Sequence, residues 1–195
     1  MVILVIGMLG GSFCPPTKAH VELSNLCIER GLCDKVIWVP VNEAYRKSTN
    51  ISANHRIEMV KLALANEDNI DYSLHEQKYK DIIRTFESVK VLQKLNPHDK
   101  IVFIAGADKL TFKWMQREEF VRDFGYIILS RGDIDCDRII KNSQSLSKWE
   151  NNIKFLDYNS DISSTIVRKE IKESGTSNLV SENVLDYIRQ NHLFL

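Results

Sequence analysis

"VILVIGMLGGSFCPPTKAHVELSNLCIERGL", residues 2–32, decides the reading of the fold. The run Val2 to Met8 is continuously apolar, has no basic residue before it, and is cut short by Gly10, Gly11 and Pro15. That is too short for a membrane span and lacks the layout of a signal peptide, so it predicts a buried strand. Gly10 and Gly11 then offer backbone freedom and close approach to a ligand. Pro15 and Pro16 stiffen the loop before a predicted helix over residues 20–30. A helix start presents free N–H groups and the positive end of a dipole. Thr17 adds a hydroxyl and His20 an imidazole at that point, and the combination predicts a phosphate site. Neither GxxxxGK[ST] nor GxGxxG is present, which sets aside a P-loop and a dehydrogenase-type fingerprint.

Working outward, the same alternation recurs. Further strands are predicted at Lys35 to Val39, around Ile70 to Leu74, at Lys100 to Ala105, Gly125 to Ser130 and Asn152 to Leu156. Their interiors are apolar throughout, as expected of strands covered by helices on both faces. Helices are predicted at Ser52 to Ala65, Arg84 to Leu95, Ser163 to Glu173 and Ser181 to Gln190, the last two opening on a serine able to cap them. Alternating strands and helices predict an α/β fold with a mostly parallel, doubly wound sheet. Ligands of such sheets bind beyond the carboxyl ends of the strands. Residues 132–150 are the most polar and least periodic, and read as a surface excursion within a single domain spanning 1–195.

Composition narrows the function. Lysine plus arginine equal aspartate plus glutamate at 26 each, which argues against broad binding to nucleic acid or to an anionic membrane. The four cysteines form no CxxC pair, and no helix-spaced histidines accompany a carboxylate, so no metal site is expected. Reduced thiols in a cytoplasm are the simpler expectation.

A second anchor is "DISSTIVRKEI", residues 161–171. Ser163, Ser164 and Thr165 supply hydroxyls and N–H groups at a helix start, and Arg168 follows with a guanidinium. Read alone, this is equally a serine cap followed by a surface arginine.

Together the two stretches resemble the GSFxPxTxxH and ISSTxxR signatures of the nucleotidyltransferase superfamily, and most closely its nicotinamide and nicotinate mononucleotide adenylyltransferases. The resemblance implies a Rossmann-like sheet of strand order 3-2-1-4-5 with C-terminal helices. It implies catalytic roles for His20, Thr17 and Arg168, and ATP contacts from Gly10, Ser12, Phe13, Ser163, Ser164 and Thr165. "FIAGADKL", residues 103–110, looks like the family's GAD element, in which Gly106 and Asp108 hold adenosine. Arg131, in "ILSRGD", matches an arginine at a later strand end. "VPVNEAYRKS" and "NHRIEMVKLAL" place Tyr45, Lys47 and Arg56 toward the mononucleotide, joined by Thr85 in "RTFESVKVL" and by Trp114. Cys14 stands where Asn or Asp is more usual, and His75-Glu76 where the family often has a Trp-Glu pair.

The implied reaction is adenylyl transfer from ATP, carried with Mg²⁺, to a pyridine mononucleotide. Two alternatives stand beside it. One is a cytidylyltransferase acting on another phosphate; the other is a nucleotide-binding regulator without turnover. The sequence leaves nicotinate and nicotinamide equally open.

Overall fold

The structure, a computed structural model, describes residues 2–45, 51–111, 116–130 and 134–195. Six strands alternate with helices. In chain order they are β1 (Val5–Gly11), α1 (Lys18–Glu29), β2 (Lys35–Pro40), α2 (Ala53–Ala63), β3 (Ile70–Tyr72), α3 (Thr85–Leu95) and β4 (Lys100–Gly106). There follow α4 (Asp108–Thr111), α5 (Arg117–Asp123), β5 (Tyr126–Ser130), α6 (Cys136–Lys141), α7 (Gln144–Ser147), β6 (Ile153–Asp157), α8 (Ser164–Ser174) and α9 (Glu182–Gln190). The strands form one parallel sheet of order β3-β2-β1-β4-β5-β6. The expected order is therefore present, with β6 added beyond β5.

Two differences from the sequence reading have physical causes. β1 begins at Val5, where its register with β4 starts at Val5↔Lys100, while Val2 and Ile3 are left exposed. The strand instead runs on through Gly10 and Gly11, which are extended. Neither has a positive φ; the left-handed residue of the loop is Phe13, at φ 47°. The glycine at position 11 serves close approach, because an added Cβ would lie 3.3 Å from the Phe13 ring. The polar stretch 132–150 also carries more structure than expected, in the short helices α6 and α7.

The chain divides into two compact units. The first comprises Met1–Leu9, Cys27–Val36 and Arg84–Asn159. β4 and β5 pair in it from Phe103↔Tyr126 to Gly106↔Leu129, and β5 pairs with β6. Phe86 of α3, Phe103 of β4, Phe120 of α5 and Tyr126 of β5 cluster over this sheet, with Phe120 and Tyr126 centroids 5.1 Å apart. Such rings supply much of a core's buried apolar area. Gly125 turns the chain into β5 at φ 77°, where a Cβ would collide with the Asn152 carbonyl.

The second unit comprises Gly10–Leu26, Ile37–Ile83 and Ser160–Leu195. α8 and α9 close over α2 through Val167, Ile171, Val184, Leu185, Ile188 and Met59, all buried. The helix ends follow capping rules: Ser52 and Ser163 accept from His55 N and Ile166 N, and Gly175 ends α8 in the left-handed conformation at φ 71°. Ser181 stands at the cap of α9 but makes no cap bond, and its Oγ is buried without a partner among the described residues.

Candidate active site

The opening loop and the part of α1 up to Leu26 belong to the second unit, as does the 163–168 segment. Phe13 is buried and stacks on Trp38 of β2, with centroids 4.7 Å apart and planes 4° from parallel. Trp38 is fixed in turn by donating its Nε1–H to Ser24 Oγ of α1 at 2.9 Å. A left-handed aromatic costs on the order of 1 kcal/mol or more, and this packing offsets it.

The His20 ring lies against both aromatics, 5.2 Å from Phe13 and 5.8 Å from Trp38. Its Nδ1 receives the Thr17 backbone N–H at 3.0 Å and lies 2.7 Å from Thr17 Oγ1. Burial holds the imidazole far below its ordinary value, at about 4, against a smaller opposing contribution from the Thr17 backbone. His20 is therefore neutral at physiological pH. Thr17 is itself buried, so its hydroxyl faces the histidine rather than open solvent.

Side chains take the loop carbonyls of Ser12, Cys14 and Pro15. Arg56 of α2 donates to Ser12 O at 3.0 Å and to Asn42 O at 3.3 Å. Arg168 of α8 donates to Cys14 O at 2.8 Å and to Thr165 Oγ1 at 3.1 Å. Ser164 Oγ donates to Pro15 O at 2.8 Å. Two segments some 150 residues apart in sequence thus meet directly at the loop. Ser163 spends its hydroxyl on the α8 cap. Arg56, expected near the mononucleotide, is buried and acts here as a brace between the loop and the β2 exit. Tyr45 lies in that exit, partly exposed.

Sequence reading passed over two residues of this site. Trp38 looked like ordinary strand filling in "KVIWV", yet it forms the platform under Phe13 and His20. Asn42 lay unremarked within "VPVNEAYRKS"; it is buried and donates to Tyr79 O and Asp81 O while its own carbonyl accepts from Arg56. The buried polar character of Asn42 shows only once the fold is known.

The GAD element and Thr85 belong to the first unit. Asp108 is exposed and pairs with Lys109 at 3.1 Å. Gly106, at the end of β4, leaves room for that carboxylate: an added Cβ would sit 2.6 Å from Asp108 Oδ1. Thr85 is exposed at the first position of α3. Lys47, Trp114 and Arg131 lie outside the described residues. Among the described residues no group of three or more His, Cys, Asp or Glu side chains is placed to hold a metal ion.

A family model described as cytidylyltransferase-like matches residues 8–170, from the middle of the first strand through the 163–168 segment. The chain belongs to the cytidylyltransferase-like family. Within it, the chain is 34% identical to a probable nicotinate-nucleotide adenylyltransferase of Clostridium botulinum (strain Loch Maree / Type A3), covering 96% of this chain and 97% of the relative. A protein of the same description from Carboxydothermus hydrogenoformans is 30% identical over 97% of each chain. Among solved structures, the Plasmodium falciparum nicotinic acid mononucleotide adenylyltransferase complexed with NaAD superposes with a TM-score of 0.75 at 23% identity, over 97% of both chains. The same parasite enzyme complexed with APC gives 0.73 at 24% identity. These likenesses establish the fold of this cytidylyltransferase-like chain independently of its sheet order.

Proposed function

We propose that this protein transfers the adenylyl group of ATP to nicotinate mononucleotide, giving the dinucleotide and pyrophosphate in NAD biosynthesis. One observation carries the proposal: the two signature segments meet, through Ser164 and Arg168 on the carbonyls of Pro15 and Cys14, on the loop that leads to a histidine held at the start of α1. The description shared by the relatives at 30–34% identity supports nicotinate as the acceptor base.

The mononucleotide phosphate is already an anionic nucleophile at neutral pH, so the reaction needs no general base. Its oxygen attacks the α-phosphorus of Mg²⁺-bound ATP. A new P–O bond forms, the bond from the α-phosphorus to the α,β-bridging oxygen breaks, and pyrophosphate leaves; Mg²⁺ arriving with ATP would neutralise phosphate charge. Catalysis is then positioning together with stabilisation of charge on the leaving oxygens. His20 donates to the α-phosphate or the bridging oxygen. Thr165 accepts from Arg168, which leaves its own hydroxyl proton for a phosphate oxygen. The remaining guanidinium N–H groups of Arg168 and the free N–H groups at the start of α8 complete a cradle for the β- and γ-phosphates. Gly10, Ser12 and Phe13 shape the loop against the nucleotide, and Asp108 accepts the ribose hydroxyls over Gly106. Tyr45, Lys47, Thr85 and Trp114 take the mononucleotide, with Arg56 holding the loop behind it, and Arg131 meets the ATP side. The whole chain, 1–195, acts as one catalytic domain, and its four cysteines, none of them in a disulfide, suit a reducing cytoplasm. Among the described residues no helix is long and apolar enough to cross a membrane.

The test is a nucleotide swap with product identified by mass. ATP with nicotinate mononucleotide is expected to give nicotinate adenine dinucleotide, and CTP to give no corresponding product. Preferential use of CTP would move the protein to the cytidylyltransferase alternative.

A further inference from the structure

Resting on the adenylyl-transfer reading, we propose that Thr17 is a positioning residue that fixes His20 in the Nε2–H tautomer, so that the ring meets phosphate as a neutral N–H donor rather than as an imidazolium. A backbone N–H can only donate. The 3.0 Å bond from Thr17 N therefore makes Nδ1 of His20 an acceptor, without a proton of its own. A neutral imidazole with a bare Nδ1 carries its hydrogen on Nε2. Thr17 Oγ1, 2.7 Å from the same nitrogen, has no proton to receive from it and so turns its own toward it. Two donors from one residue thus converge on one lone pair. Protonating Nδ1 would lose the backbone bond and set an N–H against an N–H, while the hydroxyl would have to turn round and accept.

The surroundings reinforce this choice. Phe13, from the loop after β1, and Trp38, from β2, cover the ring, and neither carries a charge or a titratable group. Within α1 itself, the His20 carbonyl is taken by Ser24 Oγ at 2.8 Å. No charged side chain among the described residues adds to the proton affinity of the ring; burial lowers it, and outweighs the smaller contribution of the Thr17 backbone that raises it. The tautomer matters because only Nε2 then remains to serve a ligand. A ring free to exchange tautomers would offer that ligand a bare lone pair part of the time, repelling a phosphate oxygen.

The experiment is long-range ¹H–¹⁵N NMR on histidine-labelled protein without substrate. The His20 resonances are assigned among the five histidines by their loss in His20→Gln. The Nε2–H pattern is expected for His20, unchanged from about pH 8 down to about pH 5. Thr17→Val keeps the backbone N–H but removes one of the two donors to Nδ1; the Nε2–H pattern should remain at about pH 8 but give way to imidazolium at a higher pH than in wild type, with kcat about tenfold lower and KM for ATP little changed. Thr17→Ser should restore both. An Nδ1–H or imidazolium pattern for wild-type His20 near neutrality would overturn the proposal, and that readout stands even where Thr17→Val fails to fold. A folded Thr17→Val protein with wild-type spectrum and wild-type kcat would overturn it as well. The tautomer is read without turnover. Failure of the adenylyl-transfer reading would appear separately, as inactive wild-type protein with the expected spectrum.

Discussion

His20 is the residue on which most of the chemistry rests, and its environment makes two quantitative demands. Replacing it with alanine removes a preorganised donor from the phosphate site; kcat should fall about 10²-fold or more with the fold intact. Steady-state kinetics beside a circular dichroism spectrum check this, and a well-folded His20→Ala protein of normal kcat removes His20 from the mechanism. The second demand concerns pH. The folded value of about 4 lies below the unfolded value of 6.5, so the unfolded chain binds the proton first as pH falls. Stability from this site is whole above about pH 6.5 and is lost as pH falls through that window toward the folded value. Between pH 7 and about pH 4.5, wild type should lose about 2–3 kcal/mol more than His20→Gln, read by urea titration at the two pH values. Equal losses in both proteins would contradict the buried, neutral histidine. The TxxH spacing made both residues legible in the sequence. It did not reveal that the Thr17 hydroxyl faces its neighbour, because a hydroxyl one turn ahead of a histidine reaches either the ring or a ligand.

At the level of elements, the site is a loop held by two helices. α2 reaches it through Arg56 and α8 through Ser164 and Arg168. Arg56→Ala strands the carbonyls of Ser12 and Asn42 and should cost roughly 2–3 kcal/mol in chemical denaturation. Arg56→Lys should recover little of that, since one ammonium lacks the fork that spans two acceptors. Full recovery by lysine would show that charge rather than geometry is at work there. The end of β4 gives the opposite expectation. In Gly106→Ala the new methyl meets the outer end of the exposed Asp108 side chain, which can swing aside. Stability should change by less than about 1 kcal/mol while KM for ATP rises roughly tenfold. A large loss of stability with normal KM would make Gly106 a purely structural glycine. Strand positions were legible because continuous apolar runs announce buried parallel strands. The start of β1 was not, since Val2 and Ile3 are as apolar as Val5 and only the partner strand determines where pairing begins. α5 escaped notice because seven residues are too few to establish a helical period.

Across the whole molecule, the sheet order β3-β2-β1-β4-β5-β6 and the family match over residues 8–170 agree with what two short signatures implied. Those signatures were readable because phosphate chemistry confines residue types tightly: a loop at a strand end, a histidine at a helix start, hydroxyls and an arginine at another. The acceptor base is confined less. Nicotinate and nicotinamide differ by one substituent, and its recognition turns on a few hydrogen bonds whose geometry no spacing encodes. The decisive measurement is pyrophosphate release with Mg²⁺-ATP and, in parallel, nicotinate or nicotinamide mononucleotide. The account predicts turnover with nicotinate mononucleotide at a kcat/KM well above that for the amide. Absence of release with either acceptor, in protein that binds ATP, would contradict it.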